Sequence, residues 1–394
     1  MVSSIAATYT ISIKDQSTGK VRILDDWIKL DIDERLDDIG SCTLVLSDIA
    51  ENDSLFGLDN QIIVERSIPG VLDGYSEFET LHRRIKRTLD QDGRQTIESY
   101  SVGYNDFLAR RVVAYKAGTI RATKNCSAET AIKEYVNENL AIASGLFTVV
   151  GRLSDGHMPG LSVQPDQTAV YESLGFVIPN WSGDKAYENL LDVIKEIANF
   201  ANIDFSIVRS GEGLFVFETY VNQLGLDRTY TDVVTSTGKN KFGNAPVIFK
   251  AELGNVATAN YEYAREGEAN VVIVQGPGDA STKKTITVEY ATAIDDSPWN
   301  IREVSRSSSP QGDDVTNQMI VFGKQTLKEM AAKETFDFEP LQTPSRLYGK
   351  HYKLGDRVTV QFGDISRNKR ITAVKISVAA GSAEQISLEY TDIT

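Results

Sequence analysis

Period-two alternation, repeated strand after strand near both ends, limits most what this chain can fold into. From residue 8 to about 116, Ile28, Leu30 and Ile32 alternate with Lys29, Asp31 and Asp33; Cys42, Leu44 and Leu46 alternate with Thr43, Val45 and Ser47; Tyr100, Val102 and Tyr104 keep the same period. Successive strand side chains point to opposite faces, so this pattern writes half-buried strands. Turn-forming clusters at 15–19, 37–41, 51–54, 69–74 and 90–93 separate them. An antiparallel β domain, barrel or sandwich, is expected over residues 1–118.

The period changes after residue 120. Ser127 can cap a helix that places Ala128, Ala131, Ile132, Tyr135, Val136 and Leu140 on one face. Residues 151–165 read as loop. A second helix is expected from near Asp184, with Tyr187, Leu190, Leu191, Ile194, Ile197, Ala198 and Ala201 as its apolar stripe, then strands at 204–208 and 214–220 around a Gly-containing turn. Residues 119–246 are therefore expected as a mixed α/β insertion, closing with an exposed polar connection over 220–246. Strand grammar returns over 247–394, interrupted by a helix near 313–334 that opens on Asp313 and Asp314, acids favourable to the helix dipole. The fold class is α+β, dominated by β.

A chain of 394 residues exceeds one ordinary core. No apolar run is long enough to cross a bilayer, and residues 1–14 read as a strand through Tyr9, Ile11 and Ile13 rather than an export signal. Two cysteines, Cys42 and Cys126, are too few for a disulfide scaffold and lack metal-ligand spacing; they are expected as unreactive thiols. A formal net charge of −14 disfavours general binding to a phosphate backbone.

Searching for chemistry yields no catalytic, cofactor or metal residues. His82, His157 and His351 are far apart and form no paired metal motif, and no GxSxG elbow occurs. Gly276-Pro277-Gly278 follows a strand but precedes another strand, so it reads as a β-turn, not a phosphate cradle. Asp31 and Asp33, with Glu34 beside them, share a strand; a cation site or a carboxylate pair is one reading and a solvated face the other. The run His82-Arg83-Arg84-Ile85-Lys86-Arg87, with Arg110 and Arg111 downstream, is the strongest basic patch. On a strand its cations point to both faces and no aromatics interleave, so it reads as a guarded sheet edge or a partner for acidic neighbours, on this chain or another subunit. Trp181 is either a recognition aromatic or a packing anchor.

The two ends echo each other. Leu58-Asp59-Asn60-Gln61-Ile62-Ile63-Val64 leads to the basic strand at 81–85, and Leu354-Gly355-Asp356-Arg357-Val358-Thr359-Val360 leads to the strand at 369–374. A resemblance is carried by Phe78 to Arg111, with its Asp92-Gly93 turn and Asp106-Phe107-Leu108-Ala109-Arg110-Arg111, by the strand and Gly turn at 270–278, and by the closing Tyr352 to Val358 with its final strands. The chain resembles the tail-hub, or baseplate-hub, proteins of long-tailed bacteriophages and related contractile injection systems.

That resemblance implies two tail-tube-like β-barrel domains, at 1–118 and 247–394, with the mixed region between them. It further implies a non-enzymatic homotrimer at the tail tip of a virion, six barrels matching a six-fold tube. Partners implied are the tail tube or distal tail protein, the tape measure protein, and a spike, fibre or lysin component. DNA is expected only in transit through an acidic lumen, and no appended peptidase or lysozyme domain is expected. The competing reading is a carbohydrate-binding or carbohydrate-active β protein using exposed acids with Trp181 or tyrosines.

Overall fold

The computed structural model describes residues 7–49, 52, 55–115, 118–141, 158–231, 236–295, 297, 299–309 and 314–393. The N-terminal strands are Thr8–Lys14 (β1), Val21–Leu24 (β2), Trp27–Arg35 (β3), Ser41–Ser47 (β4), Gln61–Ile68 (β5), Leu72–Leu89 (β6) and Gln95–Gly103 (β7). The middle region contributes Ala122–Ser127 (β8), Leu161–Val163 (β9), Asn180–Lys185 (β10), Ile203–Gly211 (β11) and Leu214–Val221 (β12). Then come Ile248–Lys250 (β13), Val256–Ala264 (β14), Val271–Gln275 (β15), Thr285–Glu289 (β16), Glu303–Ser307 (β17) and Lys333–Pro340 (β18). The last are Arg357–Phe362 (β19), Ile365–Ala379 (β20) and Gln385–Asp392 (β21). The three longest helices are Ala128–Val136 (α1), Leu190–Ala201 (α2) and Val315–Glu329 (α3).

Contacts divide the chain into two units, Met1–Ala257 with Glu339–Thr394, and Thr258–Phe338. The first is built on an eleven-stranded sheet in the order β13-β19-β20-β3-β4-β7-β6-β5-β1-β2, with β21 also on β20. The fold is mostly β, and among the described residues no sheet closes into a barrel. Strands from both chain ends, expected in two tube-like barrels, share the eleven-stranded sheet. The join is β20 on β3, from Ala373↔Arg35 to Ala379↔Lys29. It forms because both strands keep an apolar face in phase, Leu30 and Ile32 with Ile376 and Val378, all buried.

The echo between the ends is a structural repeat. Asp59 and Gly355 both have positive φ, 59° and 84°. Asp59 N donates to His82 O at 3.1 Å and His82 N to Asn60 O at 2.9 Å; Gly355 N donates to Ile371 O at 3.0 Å and Ile371 N to Asp356 O at 3.0 Å. The next ladder then shifts register at the same place, between His82 and Arg84 in β6 on β7, and between Ile371 and Ala373 in β20 on β21. Thus β5-β6-β7 and β19-β20-β21 are two versions of one three-strand element, turn and bulge included.

In the middle region α1 and α2 pack with β11 and β12 around Ile132, Tyr135, Leu190, Ile194, Ile197, Phe205, Ile207 and Phe217. Ser127 Oγ accepts from Thr130 N at 3.2 Å and Asn189 Oδ1 from Leu191 N at 3.0 Å, so each helix has a side-chain N-cap. The second helix thus starts at Leu190, later than expected. Residues 180–185 are strand β10, and Tyr187 sits at φ 60°, outside the right-handed helical region. The connection over 220–246 is not wholly exposed either: Thr229 and Asn240 are buried, and Asn240 Nδ2 donates to Asp227 O at 2.9 Å.

The second unit holds β16-β15-β17 with α3 across them, its core being Val272, Val274, Val288, Met319 and Leu327. A Cβ on Gly276 would lie 2.5 Å from Met319 Sδ, so this glycine leaves room for the helix's methionine beside the end of β15. Gly278, at φ 112°, makes the turn toward β16. The Gly-Pro-Gly motif is a packing turn, as its sequence context suggested.

Candidate functional site

The best-developed polar site is the junction where the middle region meets the strands of both chain ends. One edge of β11 pairs with β12. On the other edge, side chains of the large sheet stand in for a missing strand. Asp37 Oδ1, from the β3–β4 turn, accepts from Phe205 N at 2.7 Å, and Asn105 Oδ1 accepts from Ile207 N at 2.8 Å. Glu79 of β6 then takes the guanidinium of Arg209, whose Nε donates to Oε2 at 2.7 Å. Buried amides need acceptors, and alternate residues of an edge face outward, so acceptors two residues apart satisfy that edge.

Charge at this junction is arranged around two carboxyl groups. Asp204 of β11 is buried, pairs with Arg370 of β20, and accepts the amide of Leu224. Asp37 hydrogen-bonds Asp204 side chain to side chain, and burial followed by the Asp204 charge pushes its pKa up to about 8. Two adjacent carboxylates cannot both ionise cheaply away from water, so the pair holds a proton near neutrality. Glu34, on β3, is raised to about 7 by burial, with the Tyr348 hydroxyl at 3.2 Å partly opposing the shift. A cavity of about 290 Å³ is lined by Glu34, Asp37, Glu79, Tyr104, Arg209 and their neighbours.

Beside it, two backbones cross at near contact. A Cβ on Gly355 would lie 2.2 Å from Leu224 O, and one on Gly225 2.6 Å from Asp356 N. Asp356 fastens the crossing: Oδ1 accepts from Leu226 N at 2.6 Å, and Oδ2 from Arg228 Nε and Lys353 N, each at 3.0 Å. A third anchor is fully buried. Arg66 of β5 donates to Glu384 Oε2 at 2.8 Å and to Tyr348 O at 3.0 Å, while Tyr9 donates its hydroxyl to the same glutamate. These bonds tie β1 and β5 to the β20–β21 turn and to the 341–356 segment.

The residues singled out in the sequence fall mainly into structural roles. Asp31 takes Lys29 and the Ser377 hydroxyl, and Asp33 takes Arg35, which also reaches Glu389. Each acid thus neutralises a cation on the sheet face, and the two do not form a catalytic pair across a cleft. Trp181 packs edge-on to Phe200 at 5.6 Å and is a packing anchor. His82 is buried with Nδ1 2.7 Å from Ser99 Oγ, and His351 Nδ1 accepts from Leu347 N at 2.9 Å; burial lowers both pKa values. His157 and Asp313 lie outside the described residues. Burial pushes the Cys42 thiol up to about 12 and raises that of Cys126, which fits inert thiols. Arg110 and Arg83 share Asp59 at 3.0 and 2.9 Å, and although burial opposes them they hold its carboxyl below the usual range.

The junction residues were missed because their partners are distant in sequence. One signal was available: Arg66 falls in phase with Ile62, Val64 and Ile68, on the core face of its strand. A cation at an apolar-phase position implies a buried counter-charge.

With this geometry in view, the comparisons decide the family. The profile of the Siphovirus ReqiPepy6 Gp37-like protein family matches residues 10–390. The chain belongs to that family. No curated protein matches it in sequence. Among solved structures it is similar to the 43 kDa tail protein of prophage MuSo2 from Shewanella oneidensis, with 12% identity, 98% of each chain covered and a TM-score of 0.56. It is also similar to a tail protein from Neisseria meningitidis, with 11% identity, 98% of this chain and 96% of that chain covered, and a TM-score of 0.51. A half-lidded PdpA–VgrG complex from Francisella matches over 100% of this chain and 59% of that chain, with 10% identity and a TM-score of 0.53. The fold is shared with the Shewanella and Neisseria tail proteins, and the family is one of phage tail structural proteins rather than enzymes. Among the described residues, no helix is long and apolar enough to cross a membrane.

Proposed function

We propose that this chain is the hub of a phage tail, three copies forming a ring at the tail tip or baseplate of the virion. The observation that carries this reading is the internal repeat. A chain holding two versions of one three-strand element gives six when three copies assemble, which suits a joint to a six-fold tube. In this reading residues 1–118 and 247–394 are two tube-like halves, completed as barrels only in the ring, and 119–246 is an insertion held at a fixed angle by the polar junction.

The ring would join the tail tube or distal tail protein, and the tape measure protein, to a spike, fibre or lysin component. DNA would pass through it. Net charge −14 suits a lumen that does not hold DNA during ejection. The PdpA–VgrG neighbours support partners of the tail-component kind. Light scattering across a concentration series tests the stoichiometry: the expected mass is three times 43.4 kDa, with a central opening in negative-stain images. A closed assembly of another order overturns the trimeric reading.

A further inference from the structure

Applying the internal repeat strand by strand exposes a missing partner. Along β20, the first half pairs with β19 and the second half, Ala373–Ala379, pairs on that same edge with β3, while β21 occupies the other edge. Along β6, the first half pairs with β5 and β7 occupies the other edge through Leu89. Beyond His82, however, no strand pairs with the edge that would correspond to the β3 side, among the described residues.

Side chains show the same vacancy. Matching the two bulges sets Arg84 against Ala373, so Ile85 corresponds to Val374 and Leu89 to Val378. Val374 and Val378 are 0% and 4% exposed, whereas Ile85 and Leu89 are 40% and 64% exposed. Lys86 corresponds to Lys375, which stands opposite Asp33 of β3. Within the chain, therefore, this edge position is filled by a strand carrying Asp31, Asp33 and Glu34.

We propose that the open edge of β6 over Arg84–Leu89 is completed by the β14–β18 strand pair of a second copy of this chain, as β3 completes β20 within one copy. Chain order points to that pair. With the β15–β17 unit and α3 set aside as an insertion, β14-β18-β19-β20-β21 reproduces β3-β4-β5-β6-β7, a strand couple followed by the three-strand repeat. Charge agrees. β14 and β18 carry Glu262, Glu334, Asp337 and Glu339 against one cation, Lys333, while β6 carries Arg83, Arg84, Lys86 and Arg87, of which Arg83, Lys86 and Arg87 also face Asp59, Glu98 and Asp48 of their own chain. Glu262, Asp337 and Glu339 are exposed, as are Arg84 and Lys86. Cations along an edge discourage pairing with most strands and favour an acidic one. The contact joins different surfaces of two copies, a head-to-tail arrangement that generates a ring when the rotation closes.

The inference rests on the ring reading above, and its test separates the two. The association of the purified full-length chain is followed by light scattering across concentration. Arg84→Glu with Lys86→Glu is expected to weaken it on the order of tenfold by setting like charges face to face, with the thermal midpoint unchanged. Adding Glu262→Lys and Asp337→Lys to that variant is expected to restore association. Normal assembly of the Arg84→Glu/Lys86→Glu variant overturns the edge assignment and leaves the trimeric hub standing. A charge-dependent assembly of another order keeps the edge and overturns the trimer. A wild-type chain that stays monomeric, or an edge that instead retains duplex DNA in a gel-shift assay, overturns the proposal.

Discussion

Replacing Arg66 with Met tests whether the two chain ends are locked together from inside the large sheet. The Arg66 side chain is 0% exposed and that of Glu384 4%. Truncating the cation leaves Glu384 in a site with almost no water, with the Tyr9 hydroxyl as its remaining hydrogen-bond donor among the described residues. An uncompensated buried charge costs about 3–5 kcal/mol, whereas replacing both members of a buried pair is often nearly neutral. For a unit of this size that is a fall in thermal midpoint on the order of 5–10 °C. Arg66→Met with Glu384→Gln removes the orphaned charge and should recover at least half of the loss. Calorimetry on the purified chain reads both variants. A single-mutant loss below about 1 kcal/mol, or a double mutant no better than the sum of its parts, refutes the reasoning.

The carboxyl groups of the junction give a pH signature. Asp37 and Glu34 have folded pKa values above their unfolded ones, about 8 and about 7, so the native chain binds extra protons. Their contribution is fully present below the ordinary carboxylate range and is lost as pH rises through 7 and 8, at up to about 1.4 kcal/mol per pH unit per proton. The thermal midpoint should fall from pH 5 to pH 8, and Asp37→Asn should flatten that slope while keeping an acceptor for Phe205 N. An unchanged slope counts against the shared proton. Gly355→Ala should destabilise by about 2–3 kcal/mol or more, through positive φ and contact with Leu224 O, seen as a lower urea midpoint; a loss under about 1 kcal/mol would mean the crossing can open. Cys42 should react with a maleimide only on global unfolding, much more slowly than Cys126, and comparable rates would contradict its burial.

Local signals in the sequence determined a good deal. Period-two alternation fixed the strand-rich ends, because each face of a strand must match its side of the sheet regardless of what lies beyond. The Ser127 cap and the apolar stripes placed α1 and α2 within a few residues, although Asp184 and Lys185, expected at the start of the second helix, went into β10. The Leu58 to Val64 and Leu354 to Val360 echo was legible because a positive-φ turn followed by a strand restricts residue choice at each step. So was the basic strand at 82–87, whose Arg83, Lys86 and Arg87 face the acids Asp59, Glu98 and Asp48.

Tertiary structure decided what those pieces became. Nothing local in Ala373–Ala379 says that it pairs with β3 rather than closing a barrel with its own half, since that choice depends on which apolar face is free once the chain has folded back. Asp37, Asp204 and Arg370 lie more than 150 residues apart at their widest steps, and their carboxyl and guanidinium groups gain meaning only when burial removes water and leaves them to each other. The same holds for Arg66, Glu384 and Tyr348. Strand period is a property of neighbours in sequence, whereas the partner of a buried charge is a property of the closed fold.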